Sequence, residues 1–165
     1  APLSGLHKLR SLSIYSDSVR SVEDISELTG LSALHLAGFL IDDIRWIIRL
    51  HRLENLIIVK CGITDIKALS ELTLLKNLSL IGNQIMDVSP LIGLKELRCL
   101  DLQYNQIKDI SALSSLKKLE TLNLTNNCIS DISVLSKLPL LCDVSLGKNK
   151  IKDYSPVSEI KVVYK

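Results

Sequence analysis

Apolar residues recur at fixed positions of a 22-residue unit along almost the whole chain. The clearest copy is residues 97–118, LRCLDLQYNQIKDISALSSLKK, and residues 75–96 and 119–140 repeat its pattern. Seven consecutive units begin, without insertion or deletion, at Leu9, Leu31, Leu53, Leu75, Leu97, Leu119 and Leu141. A strict period of this size is typical of a solenoid, in which each unit stacks on the next.

Two different spacings of apolar residues within one unit predict its two elements. Leu100 and Leu102 alternate with polar residues, which predicts a short strand with one buried face. Ile110, Leu113 and Leu116 recur every three residues, which favours a helical turn with one apolar stripe. We therefore expect each unit to hold a strand, a turn and a short helical return, with one aliphatic core shared by all units.

Acidic residues recur at the thirteenth position of the unit, just before each helical return. They are Asp43, Asp65, Asp87, Asp109, Asp131 and Asp153, with Ser21 in the first unit. Asp and Ser favour helix N-termini because their side-chain oxygens accept a hydrogen bond from an unpaired backbone N–H. A row of metal-binding carboxylates is the alternative, but capping alone explains the spacing. The sequence therefore predicts seven caps, no metal site and no cofactor.

A second polar column stands at the ninth position of the last four units. It consists of Asn83, Asn105, Asn127 and Asn149, and we predict a structural ladder in which each buried Asn bonds backbone groups of its own and the next turn. Earlier units hold Asp17, Phe39 and Cys61 at this position. Phe39 has no hydrogen-bonding side chain, so the ladder should be altered at the second unit.

The pattern LxxLxLxxNxIxDIxxLxxLxx resembles leucine-rich repeats. It is most similar to the 22-residue class shared by the internalins and the nuclear regulatory subunit of protein phosphatase one, as in residues 83–91 and 109–111. The resemblance implies an α/β fold class: a leucine-rich repeat solenoid with a curved parallel β-sheet on the concave face and short helical or 3-10 returns on the convex face. It also implies a protein partner in the concavity.

The repeat boundaries predict one leucine-rich repeat domain over residues 1–165. It would comprise a partial unit at 1–8, seven units at 9–162 and the start of an eighth strand at 163–165. Neither end has the polar cap that solenoids usually need, so we expect a fragment of a longer protein. Uncapped ends also raise the possibility of end-to-end self-association.

Composition narrows the classes of function and the compartment. The net charge of +2 gives no nucleic-acid footprint, and no apolar run approaches the length of a membrane span. Cys61, Cys99, Cys128 and Cys142 lie in different units at different repeat positions, so no pair is convincingly placed for a disulfide. Free thiols favour a cytoplasmic location; the internalin resemblance implies the alternative, a bacterial surface or secreted protein.

The outward-facing strand positions predict the candidate site. Aligned unit by unit, they give an apolar patch of Tyr15, Ala37, Ile57, Val59 and Ile81 beside His35, followed by polar residues, with Tyr104 at the boundary. An exposed apolar patch with a polar surround indicates a protein-interaction surface. β-Branched residues simply suit strands, which is the alternative explanation. The predicted partner contacts are Tyr15, His35, Ile57, Val59, Ile81 and Tyr104.

The sequence holds no catalytic constellation, so we predict a protein-binding scaffold rather than an enzyme. His35 and Cys99 should lie three strands apart, about 14 Å, too far for nucleophile and base. A regulatory or targeting module packed on the catalytic domain of a larger enzyme or effector is the alternative.

The second unit deviates most from the repeat. Residues 43–50 predict a fuller helix, and Trp46 indicates either a local packing adjustment or a second contact surface.

Overall fold

One parallel β-sheet of eight strands runs the length of the molecule. The computed structural model describes residues 5–6, 8–16 and 22–164. The strands are β1 (Ser11–Tyr15), β2 (Ala33–Ala37), β3 (Asn55–Val59), β4 (Asn77–Ser79), β5 (Cys99–Asp101), β6 (Thr121–Asn123), β7 (Asp143–Ser145) and β8 (Lys161–Tyr164). They lie side by side in chain order, which confirms the predicted solenoid.

The 22-residue period sets the register of the sheet. Leu12 pairs with Leu34, Leu34 with Leu56, and each later strand continues the same column. β8 departs from it, because Asp143 pairs with Lys161 and the register shifts between Val144 and Ser145. The eighth strand therefore begins at Lys161, two residues before the predicted 163, after a shortened seventh unit.

A one-turn 3-10 return follows each of the first seven strands. The returns are Glu23–Glu27, Arg45–Arg49, Lys67–Glu71, Ser89–Gly93, Ser111–Ser115, Ser133–Lys137 and Ser155–Val157. Each of the six Asp residues at position thirteen accepts a hydrogen bond from the backbone N–H two residues on, at 2.8–2.9 Å. The predicted bonds to the first turn are therefore present, although each Asp stands one residue before the N-cap, which is Ile, Val or Tyr. Ser21 lies outside the described residues.

The second return contradicts the prediction of a fuller helix over residues 43–50. It spans Arg45–Arg49 and matches its neighbours in length. Stacked between the first and third returns, it has room for one turn only, because each unit must reach its next strand within 22 residues.

The core is a single aliphatic cluster between sheet and returns. Its members are the repeat-position Leu, Ile and Val side chains, with Phe39 and Cys61 the variants at position nine. The side chains of Leu53, Leu75 and Leu97 are fully buried, as expected for the first position of a unit. Removal of this apolar area from water is the main force that holds the stack together.

The asparagine column lies inside the core, and each Asn bonds backbone groups of its own unit and of the preceding unit, rather than of the next one. Asn105 is buried; its Oδ1 accepts from the Ile85 N–H at 3.0 Å, and its Nδ2 donates to the carbonyls of Leu80 and Leu102 at 3.0 Å each. Asn83, Asn127 and Asn149 repeat this pattern. Strand-to-return turns leave backbone groups without sheet partners, and these side chains bond them.

The ladder changes in the second and third units, where Asn is missing. Phe39 is buried without any polar group, and the Ile41 N–H donates to the backbone carbonyl of Cys61 instead of to a side chain. The Cys61 thiol lies 3.8 Å from the Leu36 carbonyl and 3.3 Å from that of Val59. Burial raises the pKa of this thiol, so Cys61 is protonated and acts as a core residue.

All four cysteines are unpaired. Cys61 is buried, Cys99 and Cys128 are half-buried, and Cys142 is exposed. The absence of a bridge agrees with the spacing argument made from the sequence. Within the described residues, no helix has the length and apolar character needed to cross a membrane.

Candidate functional site

The strands present their third, fifth and seventh unit positions to solvent, and this surface is called the sheet face. Parallel register places equivalent residues of successive strands side by side. The central column contains Ser13, His35, Ile57, Ser79, Asp101, Asn123 and Ser145. Residues that share a repeat position therefore lie on adjacent strands as direct neighbours, and adjacent strands are about 4.8 Å apart.

The first half of the sheet face carries the apolar patch of Tyr15, Ala37, Ile57, Val59 and Ile81. Tyr15, Ala37 and Val59 are paired directly across β1, β2 and β3. Ile57, Val59 and Ile81 are half-buried, and Tyr15 is 63% exposed. The three strands of this half have five residues each, whereas β4 to β7 have three. The patch therefore lies mainly on the longest and most continuous part of the sheet.

Tyr15 and His35 form a pair at the edge of the apolar patch. A hydrogen bond of 2.6 Å joins the Tyr15 hydroxyl and Nδ1 of His35, and the ring centroids lie 4.5 Å apart in an edge-on arrangement. Desolvation lowers the pKa of His35, which keeps the imidazole neutral at pH 7. The pair therefore presents a fixed, uncharged aromatic surface next to Ile57.

Tyr104 lies where the chain leaves the sheet after β5. Its backbone has a left-handed φ of 56°, and its N–H donates to the Thr125 carbonyl at 2.9 Å. The eighth position of other units has the same conformation, occupied by Gly38, Lys60, Gly82, Asn126 and Lys148. Because the turn is shared, Tyr104 occupies a fixed place at the border of the sheet face, and 48% of the residue is exposed.

The second half of the sheet face is polar. Asp101 accepts hydrogen bonds from the Gln103 backbone N–H at 3.1 Å and from Gln103 Nε2 at 3.2 Å. Asn123 repeats the first of these bonds with the Thr125 N–H. Burial raises the pKa of Asp101 despite these bonds. A carboxylate on the solvent side of a sheet is thus partly desolvated.

A shallow hollow joins the two halves of the sheet face. Its lining includes Ile57 at one end, Ser79 and Asp101 in the middle and Asp143 at the other end. Ser79 Oγ is buried and has no hydrogen-bond partner. The sequence placed Ser79 and Asp101 on this face but gave no sign of the hollow or of the unpartnered hydroxyl, because both depend on neighbouring side-chain conformations.

The returns form the opposite surface, where the sequence left two interpretations of Trp46. Trp46 is half-buried and packs on the core, as a packing adjustment requires, although its indole Nε1 is buried without a hydrogen-bond partner. Ile48 beside it is 41% exposed. The surroundings are mixed in charge, since Arg45 pairs with Asp43 and Arg49 with Glu27.

Reactive side chains are dispersed over the described part of the chain. No group of three His, Cys, Asp or Glu residues within it is arranged to hold a metal ion. His35 on β2 and Cys99 on β5 are separated by two intervening strands.

A stack of strand and 3-10 return, an internal asparagine ladder and a solvent-facing parallel sheet define a leucine-rich repeat protein. A sequence model of the family "Leucine Rich repeats (2 copies)" matches residues 95–137, which include the whole fifth unit. No curated protein sequence matches the chain.

Solved structures identify the family. An internalin C2 of Listeria monocytogenes str. 4b F2365 is 33% identical, with 99% of this chain and 74% of that one aligned and a TM-score of 0.91. An internalin (inlF) of the same strain is 31% identical over 99% of this chain and 49% of that one, with a TM-score of 0.92. This chain belongs to the internalin family of leucine-rich repeat proteins.

More distant structures share the fold. A leucine-rich repeat protein of Leptospira interrogans is 22% identical, with a TM-score of 0.77 over 97% of this chain and 50% of that one. This chain therefore spans about half the length of that protein and of the internalin inlF structure. Domains of this fold generally serve as protein–protein interaction modules, and these matches indicate no catalytic family.

Proposed function

We propose that this chain is a non-enzymatic scaffold that binds a protein partner on its sheet face. The contacts we assign are Tyr15, His35, Ile57, Val59, Ile81 and Tyr104. The observation that carries the proposal is that Ile57 and Val59 lie half-exposed on the solvent side of β3, on the same face as the largely exposed Tyr15 two strands away.

The repeat supplies an internal control for this interpretation. The positions that hold Ile57 and Val59 in the third unit hold Asp101 and Gln103 in the fifth unit. The same backbone therefore accepts polar side chains at these positions, so the fold does not require apolar ones. Preference for β-branched residues in strands acts equally in every unit and does not explain a patch confined to one half.

One tyrosine of the apolar patch, Tyr15, and one at its border, Tyr104, suit an interface. Aromatic side chains carry much of the energy of protein interfaces because they bury large areas with few rotatable bonds. Tyr15 is further held by its bond to His35, so little conformational entropy is lost when a partner covers it.

Family membership bears on the compartment. The cytoplasmic location predicted from the unpaired cysteines has no support in the comparisons. The Listeria internalin structures favour the alternative, and we propose a bacterial surface or secreted location. Cys61 is buried in the core, so its lack of a disulfide partner follows from packing and says little about the redox environment.

A paired-variant capture experiment tests the proposed function. The immobilised wild-type chain and the double variant Ile57→Asp/Ile81→Asp are exposed to the same cell extracts, and circular dichroism confirms that both are folded. The matched control is Ile92→Asp, which puts the same change on a 56% exposed residue of the fourth return. We expect a protein that wild type and control retain and the double variant loses. Equal retention by all three would overturn the proposal.

A further inference from the structure

Charge on the sheet face is opposite in sign to that of the whole chain. The molecule carries a net charge of +2. At the three outward positions of β1 to β7, however, the charged residues are Asp101 and Asp143, with His35 kept neutral at pH 7. Both carboxylates line the hollow that begins at Ile57. A partner that covers this surface meets negative charge beside an apolar patch.

Asp101 takes part in none of the ion pairs formed by the side chains that the structure describes, whereas Asp143 pairs in register with Lys161 of β8. The described ion pairs involve other carboxylates: Asp43, Glu27, Asp65, Glu54, Glu120 and Glu96. The hydrogen bonds to Asp101 come from Gln103 and the Asn123 side chain, all uncharged donors. Partial burial without a cation is unfavourable for a carboxylate, and a cation that arrives with a partner relieves it.

Ser79 adds a second, independent feature at the same place. It pairs in register with Ile57 on one side and Asp101 on the other. Its Oγ is buried and lacks a hydrogen-bond partner. Buried hydroxyls in folded proteins are nearly always hydrogen-bonded, so this one is suited to a donor from outside the chain. Ser79 Oγ and the Asp101 carboxylate are therefore neighbouring hydrogen-bond acceptors in the lining of the hollow.

We propose that this hollow is a subsite for a lysine or arginine side chain of the protein partner. The aliphatic stem of that side chain packs beside Ile57, and its charged end donates to Asp101 and Ser79 Oγ. Ile57 and Asp101 lie two strands apart, about 10 Å, a separation that a long basic side chain and its own backbone can bridge.

Other partner groups fit the hollow less well. An acidic side chain would be repelled by the Asp101 carboxylate, and like charges in contact are unfavourable at an interface. An apolar side chain would bury Asp101 and Ser79 Oγ without hydrogen bonds or charge compensation. A basic side chain with an aliphatic stem can pack on Ile57 and bond Asp101 and Ser79 Oγ at the same time. This inference rests on the proposed use of the sheet face for protein binding.

The test uses a phage-displayed library of random linear peptides as the probe. Peptides are selected on the immobilised wild-type chain, and the enriched sequences are synthesised for affinity measurements. We expect Lys or Arg close to an aliphatic or aromatic residue in the enriched sequences. Asp101→Asn, which keeps the shape of the side chain, should weaken their binding about tenfold or more. Asp42→Asn removes an exposed charge outside the strands and should leave affinity unchanged.

The outcomes separate this inference from the proposed function. Binding that is lost in Ile57→Asp/Ile81→Asp but is indifferent to Asp101→Asn and Asp143→Asn would overturn the basic subsite and leave the sheet-face proposal intact. Enriched peptides without basic residues would likewise overturn the basic subsite and leave the sheet-face proposal intact. Binding unaffected by Ile57→Asp/Ile81→Asp, or no enrichment at all, would count against both. Circular dichroism establishes that each variant is folded before its affinity is interpreted.

Discussion

At the scale of single residues, the buried asparagines bond backbone atoms that the sheet and the returns cannot pair. Asn105 alone bonds one N–H and one carbonyl of the preceding unit and one carbonyl of its own unit. A buried backbone group left unpaired is unfavourable by about 1–3 kcal/mol. The ladder therefore stabilises the turns that hold the strands in register.

Replacing a ladder asparagine should destabilise the fold strongly. We expect Asn105→Ala to lower the free energy of unfolding by about 2–3 kcal/mol, because three backbone groups lose their partner. Urea unfolding measured by circular dichroism checks the value. The control is Asn77→Ala on the exposed side of β4, where the change should be about 0.5 kcal/mol or less. Equal effects of the two substitutions would contradict a structural ladder.

The ionised Asp101 side chain destabilises the fold, whereas the buried asparagines stabilise it. Burial raises its pKa, so the folded chain holds the proton more tightly than the unfolded chain does. Stability from this group is therefore greatest below the ordinary Asp pKa and falls as the pH rises through the raised value.

Asp101→Asn removes this pH-dependent loss and keeps an oxygen that accepts from the Gln103 N–H. We expect the variant to unfold at a higher urea concentration than wild type at pH 7, with a difference that shrinks as the pH falls towards 3. A variant less stable than wild type at pH 7 would show that the hydrogen bonds outweigh the desolvation.

Residue columns could be predicted from the sequence, whereas contacts between side chains could not. Counting in steps of 22 aligned His35, Ile57 and Asp101 correctly, because parallel register preserves the repeat. The bond between Tyr15 and His35 and the unpartnered Ser79 Oγ depend on side-chain rotamers. No sequence period encodes rotamers.

At the scale of elements, each 3-10 return is fixed by a capped start and an apolar stripe. The Asp at position thirteen accepts from the backbone N–H two residues on, and this bond holds the pKa of Asp43, Asp87, Asp131 and Asp153 below its usual value. Groups with a lowered pKa contribute stability above their ordinary pKa, and that contribution is lost as the pH falls through the lowered value.

Uncharged caps should therefore make the fold less sensitive to acid. We expect Asp87→Ser/Asp131→Ser to keep both caps, since Ser is also a good N-cap and position thirteen of the first unit is Ser21. The loss of wild-type stability below about pH 4 should be smaller in this variant. Thermal midpoints measured from pH 7 to pH 2 check the prediction. Identical acid profiles for the two proteins would contradict it.

The second return shows where element prediction from the sequence failed. The sequence of residues 43–50 favours a fuller helix than in the other units, yet the structure contains one 3-10 turn at Arg45–Arg49. Local propensity was outweighed by the stack, because a longer helix would displace the return from its neighbours on both sides. Trp46 is accommodated as a half-buried side chain instead.

At the scale of the whole molecule, stability is shared between adjacent units. Each strand pairs with the strands before and after it, and each return packs on its neighbours. Such a molecule is approximately a sum of unit and interface contributions. Removing one complete unit should leave a shorter version of the same solenoid.

Deletion of residues 97–118 tests this additivity. Glu96 is then followed by Leu119, so the repeat pattern continues, and we expect a folded chain with a smaller urea m-value and a lower midpoint. Deletion of residues 97–107 is the control, because it removes β5 and leaves the return Ser111–Ser115 without its strand. A folded half-unit variant, or an unfolded whole-unit variant, would contradict the account of the stack.

The division of the sheet face into an apolar and a polar half is also a property of the whole molecule. It could be predicted because seven units repeat without insertion, so the outward residues of distant segments fall into rows. The shortened seventh unit and the early start of β8 could not be predicted, since the final residues no longer follow the pattern. The identity of the partner cannot be predicted from the repeat.

The central claim is that a protein partner contacts the sheet face and not the returns. The most direct measurement is site-specific photo-cross-linking, with benzoylphenylalanine in place of Tyr104 on the sheet side or of Ile92 on the return side; both residues are about half exposed. The account predicts one discrete cross-linked protein from position 104 and none from position 92. A cross-link obtained from position 92 but not from position 104 would contradict it.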